Sequence, residues 1–196
     1  MTQPEPTKPV VEIKSSSKPA SVLPVVPKPG PTQPVKPEDD LSSEKGIDYG
    51  KLRDLLKARQ WKEADKETYE LILRAVGRKL GDYIREKELL NFPCTDLKTI
   101  DRLWVKYSQG RFGFSVQKKI YVECGAKLDG KYPGDKVWEE FGDRVGWRKD
   151  GDWLSYSDLD VSLSSPQGLF PGWLADGLGG GRRGGWFFSR TQACEL

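Results

Sequence analysis

Histidine does not occur anywhere in this chain of 196 residues. Its absence excludes imidazole acid–base catalysis, Ser-His-Asp triads and imidazole metal sites together. Methionine stands only at position 1, so thioether ligation of a haem is excluded too. Cysteine is scarce: Cys94, Cys124 and Cys194 are widely spaced, odd in number and form no CxxC pair. That pattern predicts free thiols in a reducing compartment, with neither a zinc site nor a disulfide framework. Long apolar runs are missing, as is the apolar core of a signal peptide. No arginine precedes Arg53, and Glu5, Glu12, Glu38, Asp39 and Asp40 lie before it, which argues against a transit peptide. These absences predict a cytoplasmic protein with at most peripheral membrane association. Net charge is a mild +3, so composition gives no push toward nucleic acid.

Proline is abundant at one end: ten of the first 37 residues are proline, set among Lys, Ser, Thr, Val and Glu. Proline fixes φ and removes donors, so residues 1–44 are expected to be a disordered, partly polyproline-II tail or linker. PxxP spacings at Pro24–Pro27 and Pro31–Pro34 fit either an SH3-like ligand or a plain spacer, the latter favoured by composition.

Residues 45–196 carry the fold, and their periodicity predicts an all-α domain. Asp48 can cap a first helix, with Ile47 and Leu52 as a hydrophobic staple and Leu52, Leu55 and Leu56 as its apolar face. A second helix is predicted over Trp61 to Lys79. Thr95 can cap a third, carrying Leu97, Ile100, Trp104 and Tyr107 and ending at Gly110. Ser115 can cap a fourth, stopped by Gly125, and Asp135 a fifth, with Val137, Trp138, Phe141 and Val145 inward. Leu159, Val161 and Leu163 alternate with polar residues, which is extended spacing. A glycine-rich loop follows over 166–185, and Trp186 to Leu196 read as a last short helix.

The segments 91–119 and 138–157 concentrate aromatics, arginines and glycines without any nucleophile–base pair. Such a surface suits a flat, apolar, anionic ligand held without covalent chemistry. Trp104 and Trp138 read first as core. Phe112 and Phe114 sit in Gly110-Arg111-Phe112-Gly113-Phe114, where loop aromatics serve either as ligand contacts or as filling. Arg144, Arg148 and Lys149 follow a helix C-terminus; they answer the helix dipole or pair with ligand carboxylates. Arg182 and Arg183 lie in GLGGGRRGGW, which lacks a Walker pattern and reads as a mobile lid or a plain flexible loop. Asp150-Gly151-Asp152 and Asp158-Leu159-Asp160 lack the pattern of a calcium loop and read as turns and surface.

FPCTDLKTIDRLWVKYSQGRFGFSVQKKIY, then VWEEFGDRVGWRKDGDWLSYSDL, with DYGKLRDLLKARQWKEADKETYELIL upstream, resemble the genomes-uncoupled-four family. The resemblance covers about 47–165 closely and the remainder loosely. It implies a helical domain shaped like a cupped hand whose apolar palm holds a porphyrin. It implies binding of protoporphyrin IX and Mg-protoporphyrin IX, or of a bilin. It further implies association with the large porphyrin-binding subunit of magnesium chelatase, whose metal insertion the family stimulates without catalysing anything itself. On these residues Arg144 and Arg148 match the family's DRVGWR motif, and Phe112, Phe114, Trp138, Phe141 and Trp153 its aromatic positions. Arginines, with Arg182 and Arg183 among the candidates, would meet the propionates at the rim. A helical bundle preceding this domain in some members has no counterpart here. The alternatives are a bilin or porphyrin sensor acting elsewhere, and a pure protein-interaction domain.

Overall fold

A computed structural model describes residues 39–172 and 181–196, of 181–183 the backbone alone. The expectations for residues 1–38, PxxP spacings included, lie outside the described residues.

Helix α1 (Gly50–Lys57) starts where Asp48 Oδ1 accepts the Gly50 N–H at 2.8 Å, and it buries Leu52 and Leu56, one turn apart. Helix α2 (Trp61–Ala75) ends before the predicted Lys79. The stop is Gly77, at φ +72°, with the Arg78 N–H bonded back to Leu73 O and the Gly77 N–H to Arg74 O. Only a residue free of a Cβ takes that left-handed turn at no cost. A short α3 (Glu86–Leu90) follows, absent from the sequence reading; Glu88 folds back on the Arg85 N–H at 2.8 Å.

Helix α4 (Cys94–Tyr107) starts behind Pro93 and buries Leu97, Ile100, Leu103 and Trp104. Helix α5 (Phe114–Glu123) begins one residue before the predicted cap Ser115. Its cap comes from another helix: Asp101 Oδ1 of α4 accepts the Ser115 N–H at 2.9 Å. A Cβ at Gly113 would stand 2.9 Å from that oxygen and 2.8 Å from Val105, so the junction requires glycine. Helix α6 (Asp135–Val145) leads into a hairpin of β1 (Arg148–Lys149) and β2 (Asp152–Trp153), with Arg148 opposite Trp153. Asp150 and Gly151, both at positive φ, form its turn.

The alternation at 159–163 builds no strand. A 3-10 turn at Tyr156–Asp158 precedes it, and the Ser162 and Ser165 hydroxyls take up local backbone groups instead. The last helix, α7 (Gly181–Ala193), begins well before the predicted Trp186, so Gly181 to Gly185 are helical and not loop.

The core is aromatic. Trp104 stacks between Trp61 and Phe170 at 6.2 and 5.7 Å, and donates its indole N–H to Thr68 Oγ1 at 2.9 Å. Tyr121, Phe141 and Phe188 form a second group across α5, α6 and α7. Gln117 Nε2 donates to Gly168 O and Pro171 O, and the Trp147 indole to Leu169 O, which pins the chain after the hairpin on the helices.

Two expectations are corrected. Residues 39–44, expected to belong to the tail, pack on the domain: Asp39 pairs with Lys106 and Tyr107, Thr99 donates to Ser42 O, and Ser43 and the Glu44 N–H bond Asp96, all on α4. The thiols are not all free either. Cys94 and Cys194 form a disulfide across 100 residues, tying the start of α4 to the residue after α7. Spacing could not show it, because the fold alone brings the two Cα atoms to 5.2 Å. Cys124 stays free and buried. Among the described residues no helix is long and apolar enough to cross a membrane.

Candidate functional site

The predicted site residues fall in three places. Phe112 is fully buried, edge-on to Trp61, Trp104 and Phe170. Phe114 is fully buried against Phe187 at 4.7 Å. Both rings are therefore core: Ser108 Oγ accepts the Phe112 N–H at 2.9 Å and holds the turn that carries the first of them. Arg144 lies in a second place. It lines a groove of about 470 Å³ with Val116, Lys119 and Gln167, which neither Arg148 nor Trp153 reaches. Glu123 pairs with it, and the Cys124 sulfur accepts a hydrogen bond from it at 3.7 Å. Burial pushes the Cys124 thiol up, which disfavours its thiolate, although Arg144 pulls it partly back.

The third place unites Trp138, Phe141, Arg148 and Trp153. Helix α6 sets Trp138 and Phe141 one turn apart, ring centroids at 5.3 Å. The hairpin then folds Trp153 back over Trp138, nearly parallel, at 6.0 Å and 28°. One ring face is thus supported from below, and Trp153 remains 44% exposed. Phe141 is buried beneath, against Trp147, Tyr121 and Phe188.

Arg148 is the clamp of this arrangement. Its guanidinium lies 5.4 Å from the Trp153 ring centre, bonds Asp143 Oδ2 at 3.1 Å and Gly151 O at 2.7 Å, and has Glu139 at 3.6 Å. It is committed to holding the hairpin on α6, and its Nε is buried without a hydrogen-bond partner. The backbone of Arg182 and Arg183 lies in the first turn of α7; their side chains lie outside the described residues, as do 173–180. Helix α7 approaches the same aromatics, since a Cβ on Gly184 would meet the Trp138 ring at 2.8 Å.

Sequence reasoning missed Gly142, Trp147 and Tyr121. Gly142 sits mid-helix where Trp153 packs, and a glycine inside an otherwise well-patterned helix was the available signal. The Tyr121 hydroxyl is buried with no hydrogen-bond partner, and burial pushes its pKa up, disfavouring the phenolate. No local pattern marks it. Among the described residues no cluster of His, Cys, Asp and Glu could hold a metal ion.

A stacked, half-exposed indole with a cation over it can hold a flat conjugated ring; it offers no group for bond making or breaking. The Ycf53-like protein of Synechocystis sp. is 31% identical over 134 residues, 67% of this chain and 53% of that protein. A protein of Arabidopsis thaliana called "Tetrapyrrole-binding protein, chloroplastic" is 39% identical over 75 residues, 37% of this chain and 28% of that one. The chain thus spans about half or less of the length of these relatives. The solved structure of GUN4 from Chlamydomonas reinhardtii superposes with a TM-score of 0.64 at 29% identity, over 80% of this chain and 94% of that one. The family described as GUN4-like matches residues 42–179, from the strand of chain on α4 through the hairpin and its stacked tryptophan, and the chain belongs to that family.

Proposed function

We propose that this chain is a non-catalytic porphyrin-binding protein. It takes protoporphyrin IX and Mg-protoporphyrin IX, and it stimulates magnesium chelatase by working with that enzyme's large porphyrin-binding subunit. The observation that carries this reading is Trp153, stacked on Trp138 with the Arg148 cation over its ring and 44% of it exposed. A porphyrin is flat and apolar on both faces and anionic along one edge. Its ring would stack on Trp153, and Arg182 and Arg183 at the start of α7 would meet its propionates. Arg144 and Arg148 act indirectly, since carboxylates already engage both. The chain has no histidine, and its single methionine opens the sequence. Those facts favour a metal-free or magnesium porphyrin over haem. Family membership and the name of the Arabidopsis relative support the same reading.

The test is a titration with a water-soluble protoporphyrin analogue, following tryptophan quenching and the porphyrin absorbance, with magnesium porphyrin and a bilin in parallel. Saturable binding, weakened at least about tenfold (1.4 kcal/mol) by Trp153→Ala, is expected. Absence of binding to the unaltered protein overturns the proposal. Preference for the bilin, or binding with no effect on chelatase rate, redirects it to a sensor or to a different recipient.

A further inference from the structure

The two sulfurs of the Cys94–Cys194 bridge sit at opposite poles of two helices. Cys94 is the first residue of α4, whose N-terminus has no side-chain cap, and it is partly exposed. Cys194 follows α7, gives its N–H to Arg190 O at 2.9 Å, and is 2% exposed. A thiolate at Cys94 would meet the positive end of the α4 dipole and its first-turn N–H groups. The one carboxylate of that turn, Asp96, is already taken up by the Tyr49 hydroxyl at 2.9 Å and the Glu44 N–H at 3.0 Å. At Cys194 the negative end of α7 favours the neutral thiol instead.

The helix tethered by this bridge is the one that reaches the candidate site. Three of the thirteen residues of α7 are glycine, and a helix of that length and content does not persist alone. Tertiary contacts hold it. Gly184 lies against the Trp138 ring and Gly185 against Lys131 O, with no room for a Cβ at either. Phe187 and Phe188 are buried against Phe114, Tyr121 and Phe141. At the far end Arg190 Nε donates to Phe92 O at 2.7 Å, Lys118 bonds Leu196 O, and the bridge fixes Cys194 on α4. Cys124 is free and buried, so among the described residues this bridge is the one covalent cross-link.

We propose that Cys94–Cys194 is a redox site exchanged by a dithiol, and that its reduction loosens α7 and weakens the hold on a porphyrin. Access directs the attack. A thiolate of the reductant adds to the Cys94 sulfur. The S–S bond breaks, and its electron pair goes to Cys194, which takes a proton. The second thiol of the reductant gives up its proton and attacks the reductant's own sulfur in the mixed disulfide. That step displaces Cys94 as a thiolate, which its helix end makes a good leaving group. Two electrons have passed to the protein, and the dithiol departs as a disulfide. Cys194, a neutral thiol at the negative end of α7, is slow to attack back. The effect on binding rests on the porphyrin reading above; the exchange chemistry does not.

The experiment treats the full chain with dithiothreitol, without denaturant, and follows hydrogen exchange by mass spectrometry. Two thiols should become reactive to iodoacetamide, and exchange in 181–193 should quicken at least tenfold while α1 and α2 keep their protection. Affinity for a water-soluble protoporphyrin analogue should fall at least fivefold and return on reoxidation. Glutathione, a monothiol, should leave its adduct on Cys94. In Cys94→Ala, which lacks the bridge, α7 should exchange fast from the start and dithiothreitol should change nothing further. The proposal is overturned if the bridge survives dithiothreitol until denaturant is added, or if reduction leaves α7 exchange or porphyrin affinity as before. Equal quickening in every helix would also overturn it, since the bridge would then stabilise the whole domain alike. If the oxidised chain binds no porphyrin, the porphyrin reading fails, and reduction and α7 exchange alone decide the redox site.

Discussion

Trp153 rests on the bare Cα of Gly142: a Cβ built there would stand 2.7 Å from the edge of the indole. Glycine inside a helix ordinarily costs about 0.5–1 kcal/mol relative to alanine, so this position gives up helix stability to let the ring lie flat. Gly142→Ala should therefore keep its helix content yet push Trp153 off Trp138. A red-shifted indole emission and a porphyrin affinity lowered about tenfold are expected. A variant that melts higher and binds as before would show that Gly142 does not set the position of the indole.

Asp101 caps α5 from inside the protein, and its acidity should show in the pH dependence of stability. Burial pushes its carboxyl above the ordinary 3.8, although backbone hydrogen bonds from Ser115 and Phe114 pull it partly back. The folded chain then holds that proton to higher pH than the unfolded chain. Stability falls as pH rises through the window just above 3.8 and is level again at neutrality. Asp101→Asn keeps an oxygen for the Ser115 N–H and removes the titration. It should be at least as stable as the parent at pH 7 and lose that part of the slope. Asp101→Ala removes the acceptor and should cost about 1 kcal/mol in chemical denaturation at every pH. Equal losses for both variants would mean that the charge itself stabilises the cap.

The segment 39–44 should behave as part of the domain. A chain beginning at residue 39 retains the pairs of Asp39 with Lys106 and of Asp96 with Ser43, whereas one beginning at 45 loses them and strips the partners from α4. The shorter chain should melt several degrees lower, since about 1–2 kcal/mol is a sizeable share of a domain's margin. Identical melting curves would show these contacts to be ornamental.

Helices α1, α2, α4, α5 and α6 were legible in the sequence, because apolar residues at helical spacing mark each one and a stop glycine follows all but α1. Their starts were less so. Ser115 looks like a cap, but Asp101, fourteen residues away, supplies the carboxylate, and that is a tertiary fact. The site divides along the same line. Arg148 was singled out from its type and its place after a helix C-terminus, and Trp153 from the family resemblance alone. Phe112 and Phe114 were read as loop aromatics, because local glycines say nothing about which way a ring turns once Phe170 and Phe187 arrive from distant sequence. The pairing of Cys94 with Cys194 was invisible for the same reason.

That pairing makes the molecule a closed circuit. From Cys94 to Cys194 the backbone leaves and returns to one covalent point, and α4 through α7, the hairpin and Trp153 all lie on the circuit. Helices α1, α2 and α3 stand outside it, on the open stretch of chain that leads in. One peptide bond cut anywhere within the circuit opens it but releases nothing: both pieces remain a single molecule until the sulfur bridge is broken too.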